Sequence, residues 1–194
     1  MLPSVHFSNL LAYLNSFSPL SQTFVQELEA RASHKTIPKG QVYSRKGSYD
    51  KKIGFLSTGI MRIYDVDANG HQWSKVLVTY QTLLLGNPNL DQKGIHYIDA
   101  ITDCNIVELS VSFLEYALAQ YPEARKVREQ VMIKIYSMKS ERESDLLALD
   151  AKEHLLKLRK RLGKTLDTIP QYHVASYLGI TPVQLSRIKR LVSD

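Results

Sequence analysis

The chain is 194 residues long, 44% hydrophobic and 23% charged, which excludes a disordered polymer and suits one globular domain with a compact appendage. No apolar run approaches the roughly 20 residues that span a bilayer, and the opening MLPSVHFSNLLAYL lacks a basic n-region and a small-residue cleavage site, so a cytoplasmic protein is expected. The net charge of +6 is uneven: residues 151–194 hold nine basic and three acidic side chains, and the first 150 hold sixteen of each. A neutral body with a basic end is the asymmetry of a chain whose end meets a polyanion.

In chain order, residues 1–34 read as helical, with Phe17, Leu20, Phe24, Val25 and Leu28 at three- and four-residue spacing. Ser18 is placed to cap the second helix, with Pro19 at its first position. From about residue 35 to 110 short β-branched and aromatic runs alternate with turns: Gln41–Ser44, Ile53–Ser57, Ile60–Tyr64, His71–Val78, His96–Ile101 and Cys104–Leu109. The turns include Pro38-Lys39-Gly40, Lys46-Gly47-Ser48, Thr58-Gly59 and Asn69-Gly70, the last a hairpin signal because both residues tolerate positive φ. This texture predicts an antiparallel barrel or sandwich, with Trp73 and Tyr80 as candidates to line its interior.

Beyond Ser110 the period is helical again. A short helix ends near Tyr121-Pro122, and a long one without glycine or proline runs from Glu123 to about Leu149. Val127, Val131, Ile135 and Met138 on it approach a heptad seam, which Lys139–Glu143 interrupts. A narrow seam on a long helix often faces a twin helix, so these four are the candidate dimer-interface residues, the other reading being a helix that lies on its own barrel.

The sharpest pattern lies between Gln171 and Arg190. Ala175 is small where two helices would cross, Gly179 follows the first helix where positive φ is needed, and Thr181-Pro182 can open the second. Val174, Leu178, Ile180, Leu185 and Ile188 supply a shared apolar face. The spacing fits a helix-turn-helix and leaves Val183, Gln184, Ser186, Arg187, Lys189 and Arg190 to meet base edges or phosphates. It coincides with the basic end, where a nucleic-acid surface must displace counterions.

On these residues the whole chain resembles the Crp–Fnr superfamily of bacterial transcription regulators. The run Val174-Ala175-Ser176-Tyr177-Leu178-Gly179-Ile180-Thr181-Pro182, followed by Leu185-Ser186-Arg187-Ile188, is very like the short branch found in Bacteroidetes. The resemblance implies an α+β fold in three parts. Residues 1–122 would form an antiparallel β-roll of the cyclic-nucleotide-binding kind flanked by helices, residues 123–149 the long dimerisation helix, and residues 150–194 a winged-helix-like helix-turn-helix. Four residues follow Arg190, so little or no terminal wing is expected.

The resemblance also implies that the second helix of the motif enters the major groove, with Arg187 as the base-reading arginine. Gln184 becomes a second reader, Lys189 and Arg190 phosphate contacts, and Thr181, Val183 and Ser186 members of the same DNA-binding surface. Pro182 and Val183 stand where better-known relatives carry an arginine and a glutamate, so a different target sequence is expected. In the roll, nucleotide-binding relatives carry Phe-Gly-Glu and a later arginine, whereas here Leu85-Gly86-Asn87 stands and no arginine lies between Arg62 and Arg125. Gly86, Asn87, Lys93 and Tyr97 are the candidate effector-pocket residues, and a site without the charge-assisted arginine is not expected to hold cAMP.

The six histidines show no metal-site spacing, and the lone Cys104 rules out an internal disulfide, a thiolate-held zinc and a cysteine-ligated cluster; it reads as an inert buried thiol. No metal, cofactor or catalytic residue is assigned. Expected partners are double-stranded DNA bearing an inverted repeat, a second copy of the chain, RNA polymerase if the protein activates, and an unidentified small-molecule effector. The rival reading is a ligand-binding or interaction module whose C-terminal hairpin docks a protein.

Overall fold

A computed structural model describes residues 4–79, 81–87, 89 and 92–193. They fall into two compact units, one of residues 1–63 and 78–135, the other of residues 64–77 and 136–194.

In the first unit, α1 (Val5–Asn15) and α2 (Gln22–Arg31) precede β1 (Ser33–Ile37), β2 (Val42–Ser44) and β3 (Lys52–Thr58). β4 (Ile60–Val66) and β5 (Gln72–Thr79) form the next hairpin, whose tip, residues 64–77, belongs to the second unit. β6 (Thr82–Leu84), β7 (Tyr97–Ala100), β8 (Cys104–Ser110), α3 (Val111–Gln120) and α4 (Pro122–Ala148) follow. The strands make two four-stranded sheets, ordered β1-β8-β3-β6 and β2-β7-β4-β5. β3 is buried without interruption from Ile53 to Ser57, the signature of a strand covered on both faces. Phe55 on β3 lies opposite Val107 on β8, and both join Leu10 of α1, Leu28 of α2, Phe113 of α3 and Val127 of α4 in one core.

Serines cap three of these helices. Ser4, Ser21 and Ser110 each accept the backbone N–H three residues on, at 3.3, 3.3 and 3.1 Å. Two expectations are corrected here. The second helix opens at Ser21 rather than Ser18-Pro19, because the chain leaving α1 is still turning: Ser18 N donates to Leu14 O, and Leu20 N donates to the Asn15 side chain. The helical reading also ran too far, since β1 begins at Ser33. At the β4–β5 turn only Gly70 takes positive φ (82°); the Asp67 carboxylate holds Asn69 N and His71 N at 2.8 and 2.9 Å.

The second unit is mainly helical: the last turns of α4, α5 (Ala151–Leu162), a short 3-10 segment (Gly163–Thr168), α6 (Gln171–Leu178) and α7 (Pro182–Ser193). A reciprocal cap starts α5, where Asp150 accepts from Lys152 N and Glu153 N and Glu153 accepts from Asp150 N. Leu155, Leu158, Leu166, Val174, Ala175 and Leu185 are its buried core. Trp73, expected inside the roll, is 43% exposed on β5, and Tyr80 lies outside the described residues. Among the described residues no helix is long and apolar enough to cross a membrane, and no group of three or more His, Cys, Asp or Glu could hold a metal.

Candidate nucleic-acid interface

α6 ends at Gly179, whose φ of 72° places it in the left-handed region, and Ile180 N closes back onto Ala175 O at 3.0 Å. A second reciprocal cap opens α7 two residues later. Gln184 N donates to Thr181 Oγ1 at 3.2 Å, while Thr181 N donates to Gln184 Oε1 at 2.8 Å. These two caps fix the turn between the helices. Leu185 points inward and is fully buried, and Ile180 and Ile188 are half-buried.

The opposite face of α7 is open. Val183 is 62% exposed, and Arg187 and Arg190 follow it at four and seven residues on the same side. Among the described residues Arg187 and Arg190 have no ion-pair partner. Thr181 is exposed, and Ser186 and Lys189 are half-buried. Gln184 has a structural duty that sequence reasoning missed: its amide oxygen is engaged in the cap, and bidentate pairing with adenine would require that oxygen.

Sequence reasoning also missed Arg142, on the last turns of α4. Its guanidinium donates to the backbone oxygen of Tyr177, reaches His154 Nε2 at 2.5 Å and lies 3.8 Å over the Tyr177 ring. Arg161 donates to the Tyr177 hydroxyl at 3.3 Å. Burial first, and the Arg142 charge second, hold the His154 imidazole below its ordinary pKa, so its neutral form accepts the Arg142 hydrogen bond. The only sequence signal was the polar stretch Lys139–Glu143 inside an otherwise apolar pattern. On the hairpin tip, Ser74 N donates to Ser176 Oγ of α6 at 2.8 Å.

The effector stretch in the first unit is closed on itself. Asn87 Nδ2 donates to Lys93 O at 2.8 Å, Ile95 N to Gly86 O at 3.1 Å, and Gly94 N to Ser48 O at 2.7 Å. A Cβ at Gly86 would run into Asp50 Oδ2, which accepts the Ser44 hydroxyl. Gly86, Asn87 and Lys93 therefore share one loop, and Tyr97 is half-buried at the start of β7. The nearest arginine in sequence, Arg62 on β4, is buried and committed to Asp99 on β7 through two bonds of 2.8 and 2.9 Å.

The expected dimer seam divides. Val127 and Val131 are buried in the core of their own unit, which corrects these two to internal packing, while half-buried Ile135 packs partly on that core. The reason is the stripe they share with Ala124, which α1, α2 and α3 cover within the same chain. Met138 is 43% exposed, and a separate stripe through Ile133, Tyr136 and Leu147 faces outward.

No protein-family model and no curated protein matches the sequence. Solved structures match its fold closely. FixK2 of Bradyrhizobium japonicum aligns at 16% identity with a TM-score of 0.74 over 84% of each chain. A putative Crp/Fnr-family transcriptional regulator of Eubacterium rectale aligns at 12% identity and TM-score 0.71, over 94% of this chain and 88% of that one. The c-di-GMP-responsive global regulator CLP of Xanthomonas campestris aligns at 13% identity and TM-score 0.69, over 90% and 93%. With a cyclic-nucleotide-binding-type β-roll, a long helix and a helix-turn-helix in that order, the chain has the fold of the Crp/Fnr transcription regulators.

Proposed function

We propose that the protein is a sequence-specific DNA-binding transcription regulator that works as a homodimer in the cytoplasm. The observation that carries this is α7 itself: a helix whose start is fixed by the Thr181–Gln184 cap, with Val183, Arg187 and Arg190 turned outward and both arginines without an ion-pair partner among the described residues. Arg187 is the base reader, since a bidentate arginine on guanine supplies about 1–3 kcal/mol of discrimination. Lys189 and Arg190 hold phosphates, which makes affinity fall with salt. Self-association uses exposed residues of α4, Met138 and the separate outward stripe of Ile133, Tyr136 and Leu147, in place of the buried Val127 and Val131. A two-fold dimer then reads an inverted repeat with half-sites about one helical turn apart.

Among its described residues the loop at 86–94 spends Gly86, Asn87 and Gly94 on its own neighbours, and its sequence offers Lys93 as its one cation, so cAMP is not the effector. Control rests on another small molecule or on the amount of protein. If the regulator activates, RNA polymerase is a further partner.

Selection from a random duplex library at near-physiological salt, with Arg187→Ala in parallel, tests this. The expected result is an enriched inverted repeat for the parent and about tenfold or greater loss of discrimination in the variant. Weak, salt-sensitive and sequence-blind binding by both proteins would overturn the reading in favour of a hairpin that docks a protein.

A further inference from the structure

The first unit contains a cavity of about 110 Å³ between the N-terminal helices and the β1-β8-β3-β6 sheet. Leu14 of α1, Phe24 of α2, Leu83 of β6, Ala117 of α3 and Ala124 of α4 stand on its walls. Every other residue around it is also apolar except Arg128, one turn of α4 beyond Ala124, and almost no polar atom faces the space, so Arg128 meets it through its hydrocarbon stem. Arg128 is exposed and makes no ion pair or hydrogen bond among the described residues.

Hydrocarbon walls give water no partners, so an apolar space of this order stays dry and takes up apolar molecules instead. Left empty, it deprives its lining of dispersion contacts. A lone guanidinium beside such a space selects an anion, and its planar fork matches a carboxylate. Hydrocarbon walls with a cation beside them describe an amphiphile with one alkyl tail and one carboxylate head. The volume is too small for a sterol or a diacyl lipid. A nucleotide finds no donors for its base and sugar on these walls. We propose that this cavity is a binding site for a medium-chain fatty acid, with the tail against Ala117 and Ala124 and the carboxylate on Arg128. The site is separate from the loop at 86–94, and the proposal stands independently of DNA binding.

The test is isothermal titration calorimetry of the full chain with decanoate and with decanol, each below its aggregation concentration. Saturable binding of decanoate is expected. Arg128→Gln, at an exposed position that leaves the core intact, should weaken decanoate about tenfold and leave decanol unchanged. Ala124→Leu, or Ala117→Leu if that variant does not fold, should abolish binding of both. Absence of saturable binding overturns the proposal, as does decanoate binding that Arg128→Gln leaves untouched.

Discussion

The loop at 86–94 and the recognition helix α7 deal with their polar groups in opposite ways. Among the described residues of the loop, Asn87 bonds Lys93, Gly86 bonds Ile95, Gly94 bonds Gly47 and Ser48, and a methyl group on Gly86 would have to displace the Asp50 carboxylate. In α7 the backbone is equally well satisfied, by the Thr181–Gln184 cap, but Arg187 and Arg190 are left facing outward. The difference teaches where an external partner can gain free energy. Charge already answered within the chain adds little to binding, because a new partner must displace the old one; unanswered charge is available at once.

The contrast can be attacked first at its closed side. Asp99→Ala removes the two charge-assisted bonds that the buried Arg62 guanidinium makes to β7 and should lower the stability of the first unit by about 3 kcal/mol, read by urea unfolding. A loss below about 1 kcal/mol would mean that the pair behaves like a solvent-exposed one. The open side responds less. Gly179→Ala adds a Cβ that meets nothing within 4 Å, so its cost is the left-handed backbone alone, about 1 kcal/mol in thermal or chemical melts of the second unit. Gly179→Asn should cost less, because asparagine tolerates that conformation.

The smallest effect sharpens the picture between them. His154 is held neutral in the folded unit, so below its ordinary value of 6.5 the unfolded chain takes up the proton more readily than the folded one. Stability should therefore be complete above pH 6.5 and decline as pH falls through it, and His154→Gln should flatten that slope. Arg142, Lys157 and Arg161 oppose the proton and Asp145 favours it, so the net slope is modest.

Much of the fold was legible because its signals are local. Gly179, Thr181 and Ala175 state backbone and size requirements that hold whatever surrounds them, and the turn glycines mark the strand ends in the same way. What failed depended on distant partners. Ser18 and Ser21 are equally good caps in isolation, and the choice was made by how α1 ends and by Glu123, which accepts the Ser21 hydroxyl at 2.6 Å. The stripe through Val127 and Val131 has the same period whether it meets its own core or a second copy. Arg142 sees Tyr177 thirty-five positions away, and no local pattern announces such a contact.

Cys104 has a practical consequence of a kinetic kind. Its thiol is wholly buried at the start of β8, donates to Ile60 O at 3.4 Å, and sits where a Cβ on Gly59 would be 2.6 Å from the sulfur. Burial pushes its pKa up, so the folded roll presents a protonated, enclosed sulfur to any thiol reagent. As the chain has one cysteine, the rate at which reagent is consumed becomes a clock for the opening of this single sheet, running without a label and blind to everything α7 does.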